Sequence, residues 1–346
     1  MTPAPSLAAE VAAHRRRRLR RGAALVLGLV LLILASVALT LSVGSTPVAP
    51  LDVLRVLAGQ EVPGASFTVE RLRLPRAVLS LLAGLCFGLG GGACQTLLRS
   101  PLASPDIIGI SAGSGAAAVF AIVVLGWSGP AVSGAAILCG LATALAIYLL
   151  AWRDGVAGAR LILVGIGISA MLQSVTVYLL LRAPDWSLQE ALRWMTGSVN
   201  GARLSDAPPL LLALGLFGTL LLCRSRELEA LRLGDDKAAA LGVRIARTRL
   251  LILVGVVGLI AVATAVAGPI AFVAFLAGPI AARLGMPGRP ILLPAALIGA
   301  LLVVLADFAG QVLLPGRYPV GIVTGALGAP YLIYLIVRVN RAGGTI

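Results

Sequence analysis

The sequence predicts an all-α polytopic membrane protein of about ten transmembrane helices, with both termini cytoplasmic. Three observations predict this. Of 346 residues, 59% are hydrophobic and 12% charged, about half the charged share of a soluble domain. Apolar runs near the ~20 residues a helix needs to cross the hydrocarbon core recur along the whole chain. The basic residues cluster in alternate gaps between those runs, the bias that orients membrane helices.

The spans follow in order. Residues 1–22 form a basic tail, with His14 to Arg21 reading HRRRRLRR. The apolar run after it, Ala23 to Val43, is too long for the core of a secretory signal, so it reads as a retained first helix. The tail orients that helix; contact with anionic lipid is its alternative role. The second run, 76–98, is entered through Arg73-Leu74-Pro75-Arg76 and holds Gly84, Gly88, Gly90, Gly91 and Gly92. In lipid, glycine lets neighbouring helix backbones approach closely. Pro101 and Pro105 break the chain before the third run, 106–125. Runs four and five are 130–151 and 160–181; run five carries Gly165, Gly167, Ser169 and Gln173. Runs six and seven are 207–223 and 248–267. The eighth, 269–284, starts at Pro269 and contains Pro279, which predicts a bent or broken helix buried in protein or lining a cavity. The ninth, 291–313, holds Asp307 near its outer end, and the tenth is 320–338. One transmembrane unit, 23–339, thus lies between the basic tail and a short cytoplasmic tail, 340–346.

With the N-terminus inside and ten spans alternating, 20 of the 28 basic residues fall on the cytoplasmic side. The outer side keeps Arg55, Arg71, Arg73, Arg76, Arg182, Arg193, Arg203 and Arg317. Two outer loops are long. Gly44 to Leu72 is mixed and predicts short interfacial structure. Arg182 to Ala207 holds Trp186 and Trp194, residues suited to the membrane interface.

Several function classes are excluded or weakened. The net charge of +14 would mark a nucleic-acid binder only if gathered on one soluble face; here it lies in short loops between apolar runs. No G-x-x-x-x-G-K-[ST] phosphate cradle occurs. The cluster Gly88–Gly92 lacks the strand and acidic partner of a dinucleotide site. Cys86, Cys94, Cys139 and Cys223 have no metal spacing and read as small hydrophobes packed between helices. The single histidine is His14, in the tail. No catalytic centre, metal or cofactor is predicted. Intramembrane carboxylates are almost absent, with Asp307 the one candidate, whereas an ion-coupled carrier working alone usually shows several ionisable groups at depth. The energy source therefore lies in another chain; a secondary ion-coupled carrier and a passive channel or scaffold are the rival readings.

The cytoplasmic loop 224–249, RSRELEALRLGDDKAAALGVRIARTR, is the largest. Asp235 is placed to N-cap a short helix, Asp236 lies near its positive end, and Gly242 is placed to close it. The loop is either a solvated surface helix or a docking element.

Five segments carry a family resemblance. They are Arg73-Leu74-Pro75-Arg76; the glycine-rich helix with Gln95; Ser100-Pro101-Leu102-Ala103 followed by Ile108-Gly109-Ile110-Ser111-Ala112-Gly113; Leu233-Gly234-Asp235 with Ala238 and Leu241-Gly242-Val243; and Gly268-Pro269-Ile270 with Phe272. Trp194-x-x-Gly197-Ser198 and the run Pro319 to Tyr331 add to them. The chain resembles the permease subunits of ABC importers for iron-siderophores, haem and cobalamin. It departs at Ser100, where the family has asparagine, and at Gly278-Pro279, where proline-histidine is usual. The resemblance implies two ATP-binding ABC subunits, a second permease in a homo- or heterodimer, and an extracellular or periplasmic substrate-binding protein. It also implies a bacterial plasma (inner) membrane location among lipid, with no covalent change to the substrate. A ferric siderophore is the expected cargo; cobalamin or haem would need the same architecture.

The resemblance also assigns sites. Leu233, Gly234, Asp235, Ala238, Leu241 and Gly242 would dock on the ATPase. Arg73 and Arg76 would pair with carboxylates of the binding protein; interfacial snorkelling is their alternative role. A third family arginine falls near Gln311 here, and Arg317 is its candidate substitute. Gln95, Ser169 and Gln173 are candidates for the wall of the pathway, and ordinary helix packing is their alternative.

Overall fold

A chain this apolar has to satisfy its backbone hydrogen bonds internally when it enters lipid, and the helix does so within one segment. The computed structural model describes residues 7–44, 46–151, 158–284 and 290–341, and among them every regular element is helical. Helix α1 (Leu7–Ser42) runs without a break from the basic tail into the first span. The loop after it holds α2 (Pro50–Leu57) and a π-helical turn, Phe67–Arg73, that leads into α3 (Leu74–Leu98). After a short 3-10 turn come α4 (Ile110–Val123), α5 (Pro130–Ala151) and α6 (Gly158–Leu181). The loop after α6 contains α7 (Asp185–Met195). Span six is α8 (Ala207–Ala213) and α9 (Thr219–Cys223), joined by a π-helical segment. The 224–249 loop holds α10 (Ser225–Leu231) and α11 (Asp235–Ala240). Helices α12 (Ile245–Ala267), α13 (Val273–Leu284), α14 (Leu292–Phe308) and α15 (Val320–Arg341) complete the chain.

Seven helical stretches among the described residues are long and apolar enough to cross a membrane; shorter apolar helices, Ile110–Val123, Val273–Leu284 and Val320–Leu335, fall in the third, eighth and tenth apolar runs. Two of these shorter helices follow irregular backbone. Before α4 the chain runs through Ser100–Gly109, tied to α3 by Gln95. Before α13 it makes the turn Gly268–Phe272, in which both Gly268 (φ +71°) and Phe272 (φ +64°) are left-handed. The eighth helix therefore starts at Val273 rather than Pro269, and Pro279 lies inside it.

Helix α3 is the axis of the fold. In its most apolar stretch 83% of residues are buried, against 17% for α6. Its glycines meet three neighbours. Gly84 and Gly88 face α14, where a Cβ on Gly84 would lie 2.6 Å from Ala300 Cα and one on Gly88 would lie 2.9 Å from Gly299 Cα. Gly91 abuts the Ala274 backbone of α13, and Gly90 lies against Ile260 of α12. Small residues on successive faces thus let three helices pack on one at backbone distance. The segment between α1 and α3 forms a small core with the adjoining helix ends, from Leu41, Val53, Val56, Ala65, Val69 and Ala77.

Two expectations need correction. Cys86 and Cys94 are buried packing residues, but Cys139 and Cys223 are exposed, because α5 and span six turn large faces outward. Asp235 does not cap α11. The N-cap is Gly234, at φ +109°, and Asp235 is the first helical residue. Its carboxylate is drawn instead to two arginines described below. Residues 1–6 and 342–346 of the tails, with Arg153 and Arg289 of the basic count, lie outside the described residues.

Candidate functional site

The loops sort to two ends. At one end Gly44, Arg71, Arg73, Arg76, Arg193, Asn200, Gln311 and Arg317 line a basin of about 650 Å³. The other end holds the 224–249 loop, with Arg99 from the C-terminus of α3.

In the basin floor Arg76, from the first turn of α3, meets Asp307 of α14. Arg76 Nε donates to both carboxylate oxygens (2.9 and 2.7 Å), and Nη2 donates to Oδ1 at 2.6 Å. The side chains are 17% and 3% exposed. A carboxylate so buried has to be paired, and the planar guanidinium supplies the matching fork. Arg73 points the other way. It donates to the carbonyls of Leu41 (2.7 Å) and Thr46 (2.5 Å). Leu41 is in the last turn of α1, whose carbonyls lack helical partners, so Arg73 ties the end of α1 to the start of α3. Both arginines expected to face a partner are thus engaged inside the chain. Arg71, Arg193 and Arg317 are exposed at the rim, and among the described residues none of them forms an ion pair.

At the opposite end Asp235 accepts from Arg249 at 3.0 and 2.9 Å, and from Arg99. These pairs pin the start of α11 to α12 and to the end of α3, the central helix. Ala238 is buried and Gly242, at φ +82°, ends the turn. Leu233 and Leu241, on either side, are 57% and 66% exposed. The preceding helix is fastened too. Glu227 accepts from Thr248 Oγ1 at 2.6 Å and from Arg224 at 2.5 Å. The Thr248 hydrogen bond, then Arg224 and the charge of Arg244, hold its carboxyl below the usual range against a desolvation that opposes them.

The pathway candidates divide. Gln95 is 5% exposed, and its amide donates to the carbonyls of Phe275 (2.8 Å) and Pro101 (3.3 Å). It ties α13 to the 100–109 loop and lines no surface. Ser169 is half-buried, and its hydroxyl is buried without a partner. Gln173 is exposed on α6, on a face with Gly167, Ala170 and Ser174.

Sequence reasoning missed the partner of Asp307, the Arg99–Asp235–Arg249 knot, and Arg193 in the basin. The first had a signal. An intramembrane carboxylate requires a counter-charge, and Arg76 was the arginine placed at the same outer depth. The knot and Arg193 had none, because they join segments far apart in sequence.

The FecCD transport family model matches residues 30–338. The chain is 40% identical over 312 residues to the achromobactin transport system permease protein CbrC of Dickeya dadantii, covering 89% of each chain. It is 39% identical over 297 residues to the ferric enterobactin transport system permease protein FepG of Escherichia coli, covering 84% of this chain and 88% of that one. Among solved structures it is similar to a metal-chelate type ABC transporter in an inward-facing conformation, with TM-score 0.79 and 26% identity over 90% of this chain and 98% of that one. The arginine-lined basin at one end, the fastened loop helix at the other and this match over residues 30–338 converge: the chain belongs to the FecCD transport family.

Proposed function

We propose that this chain is the membrane-spanning subunit of an ATP-driven importer in a bacterial plasma (inner) membrane, and that its cargo is a ferric siderophore. The observation that carries the reading is the loop helix α11. It is anchored to the core by Asp235, yet it is flanked by the exposed side chains of Leu233 and Leu241. A rigidly mounted helix with apolar shoulders outside the lipid fits a partner's cleft. The sequence has no phosphate cradle of its own, so that partner is an ATP-binding subunit. The cargo rests on the relatives, which are permeases named for ferric enterobactin, achromobactin, Fe(3+)-citrate and iron(3+)-hydroxamate.

In this reading the 224–249 loop and both termini are cytoplasmic, the ten apolar runs all serve as spans of one permease unit, 23–339, and the arginine basin faces outward. Asp307 and Arg76 brace the outer ends of α14 and α3, and Arg73 holds the outer loop. Arg71, Arg193 and Arg317 at the rim supply the positive field that steers an acidic face of the binding protein. The face of α6 bearing Gln173 meets the second permease across the pathway. Movement of the ATPase acts on α11, and the Arg99–Asp235–Arg249 knot carries it to α3 and α12.

The test is uptake by vesicles holding this chain with its ATPase and binding protein. Ferric siderophore uptake should require internal ATP and stop when either partner is omitted. Uptake by the permease alone under an ion gradient would instead establish a secondary carrier. ATP-dependent uptake of cobalamin or haem, with none of ferric siderophore, would overturn the cargo alone.

A further inference from the structure

A second cavity, of about 590 Å³, opens between α1, α10, α13 and α14 at the end that carries the Asp235 loop. Its walls are apolar: Leu25 and Val26 of α1, Leu222 at the end of α9, and Leu293 of α14. Among the described residues its charged lining residues are Arg21 and Arg226, and no acidic residue lines it. Both arginines are exposed, and among the described residues neither forms an ion pair. Every carboxylate shown to bind an arginine in the adjoining loop is engaged elsewhere: Glu227 by Arg224, Glu229 by Arg232, and Asp235 by Arg249 and Arg99.

Arg21 stands at the edge of the first apolar stretch, Arg20–Ser42, which is headgroup depth. Beyond it Leu27, Leu31 and Leu34 of α1 are exposed, a flank that faces hydrocarbon. A cleft with two cations at its mouth and apolar walls beneath is complementary to a molecule with an anionic head and acyl tails. We propose that this cleft is a binding site for one anionic phospholipid. Arg21 and Arg226 hold the phosphate, and an acyl chain lies between α1 and α14. Free phosphate alone would leave the apolar walls unmatched, so the occupant is a lipid. The site lies apart from the outer basin and from the exposed face of α6. It joins the first helix to α10, so the lipid would brace the base of the 224–249 loop.

The test is native mass spectrometry of the detergent-purified, delipidated transporter titrated with phosphatidylglycerol. Wild type should retain one phosphatidylglycerol per copy of this chain, and phosphatidylcholine should be retained much less. Each arginine near an anionic headgroup is worth about fivefold, so Arg21→Gln with Arg226→Gln should weaken retention about thirtyfold. The pair Arg21→Lys with Arg226→Lys should restore most of it, and Val26→Trp, which fills the cleft and keeps both charges, should expel the lipid. Equal retention of the two lipids, unchanged retention in the double Gln variant, or full displacement by glycerol phosphate would each overturn the proposal.

Discussion

Removing Asp307 should damage the protein more than removing Asp307 and Arg76 together. Asp307 is 3% exposed and takes three hydrogen bonds of 2.6–2.9 Å from one guanidinium. Asp307→Asn leaves Arg76 charged, 17% exposed and without its counter-ion. Breaking a buried pair from one side costs about 3–5 kcal/mol, whereas replacing both members with apolar groups of similar volume is often close to neutral. The consequence should reach inward, because the pair clamps the outer end of the α3–α14 contact that Gly84 and Gly88 continue. The measurement is a double-mutant cycle of Asp307→Leu, Arg76→Met and the combined variant, read from reversible unfolding in mixed micelles. The expected result is two strongly destabilised single variants and a double variant that loses less than Asp307→Leu alone. Additive losses would show that the two groups do not depend on each other and would refute the reasoning.

Three more outcomes follow from the same geometry. Ala239→Pro should dissolve α11, since proline costs about 3 kcal/mol inside a helix; ATPase activity should persist while transport is lost, and normal transport would remove the coupling role of this segment. Gly88→Val should separate α3 from α14, because even a Cβ there would fall 2.9 Å from Gly299 Cα; overpacking typically costs about 1–3 kcal/mol, and a Tm equal to wild type would contradict the contact. For Glu227 the folded carboxyl lies below its free value, chiefly through Thr248. Its stabilisation is therefore complete above the unfolded pKa of about 4.3 and is lost as pH falls through the folded one. The Tm gap between wild type and Glu227→Gln should be flat from about pH 8 to 5.5 and shrink below about pH 4, and a gap that widens in acid would reverse the assignment.

How much of this was legible in the sequence depends on the range of the force involved. Each apolar run became helix because the requirement acts residue by residue: no backbone group can be left unpaired in lipid. The glycines of α3 announced close packing, but not that Gly84 and Gly88 serve α14 while Gly91 serves α13. Which face meets which helix is settled by the partner, and Ala274 and Gly299 lie some 200 residues away. The loop helix was visible through Asp235, Ala238 and Gly242, and its end was read correctly. Its start was misread because a capping aspartate and a salt-bridging aspartate look alike until Arg99 and Arg249 are known to converge there. Gln95, a candidate for the pathway wall with helix packing as its alternative, shows a related ambiguity. A polar side chain in an apolar helix signals a hydrogen-bonding need, yet the need can be met by buried carbonyls such as those of Phe275 and Pro101 as well as by a passing ligand.

The arginines of the basin show how charge is divided between structure and surface. A guanidinium held against buried helix ends needs a local partner, so each one there calls for its own reason. For Arg76 the reason is Asp307, and for Arg73 it is the Leu41 carbonyl in the last turn of α1 and the Thr46 carbonyl just beyond it. Neither guanidinium is released to a partner without a loss inside the chain, since Asp307 and Leu41 are buried. Arg71, Arg193 and Arg317 have no such obligation. They come from three different segments, the π-helical turn before α3, α7 and the loop before α15, yet all line one basin. Three cations brought together without counter-ions among the described residues repel one another by Coulomb's law, and in the proposed reading an acidic partner surface would relieve that repulsion. The structural pair thus sets the floor of the basin, and in that reading the rim would carry its attraction. Charge reversal at Arg71 and Arg317 should accordingly slow association with the binding protein without the loss of stability that follows from touching Arg76.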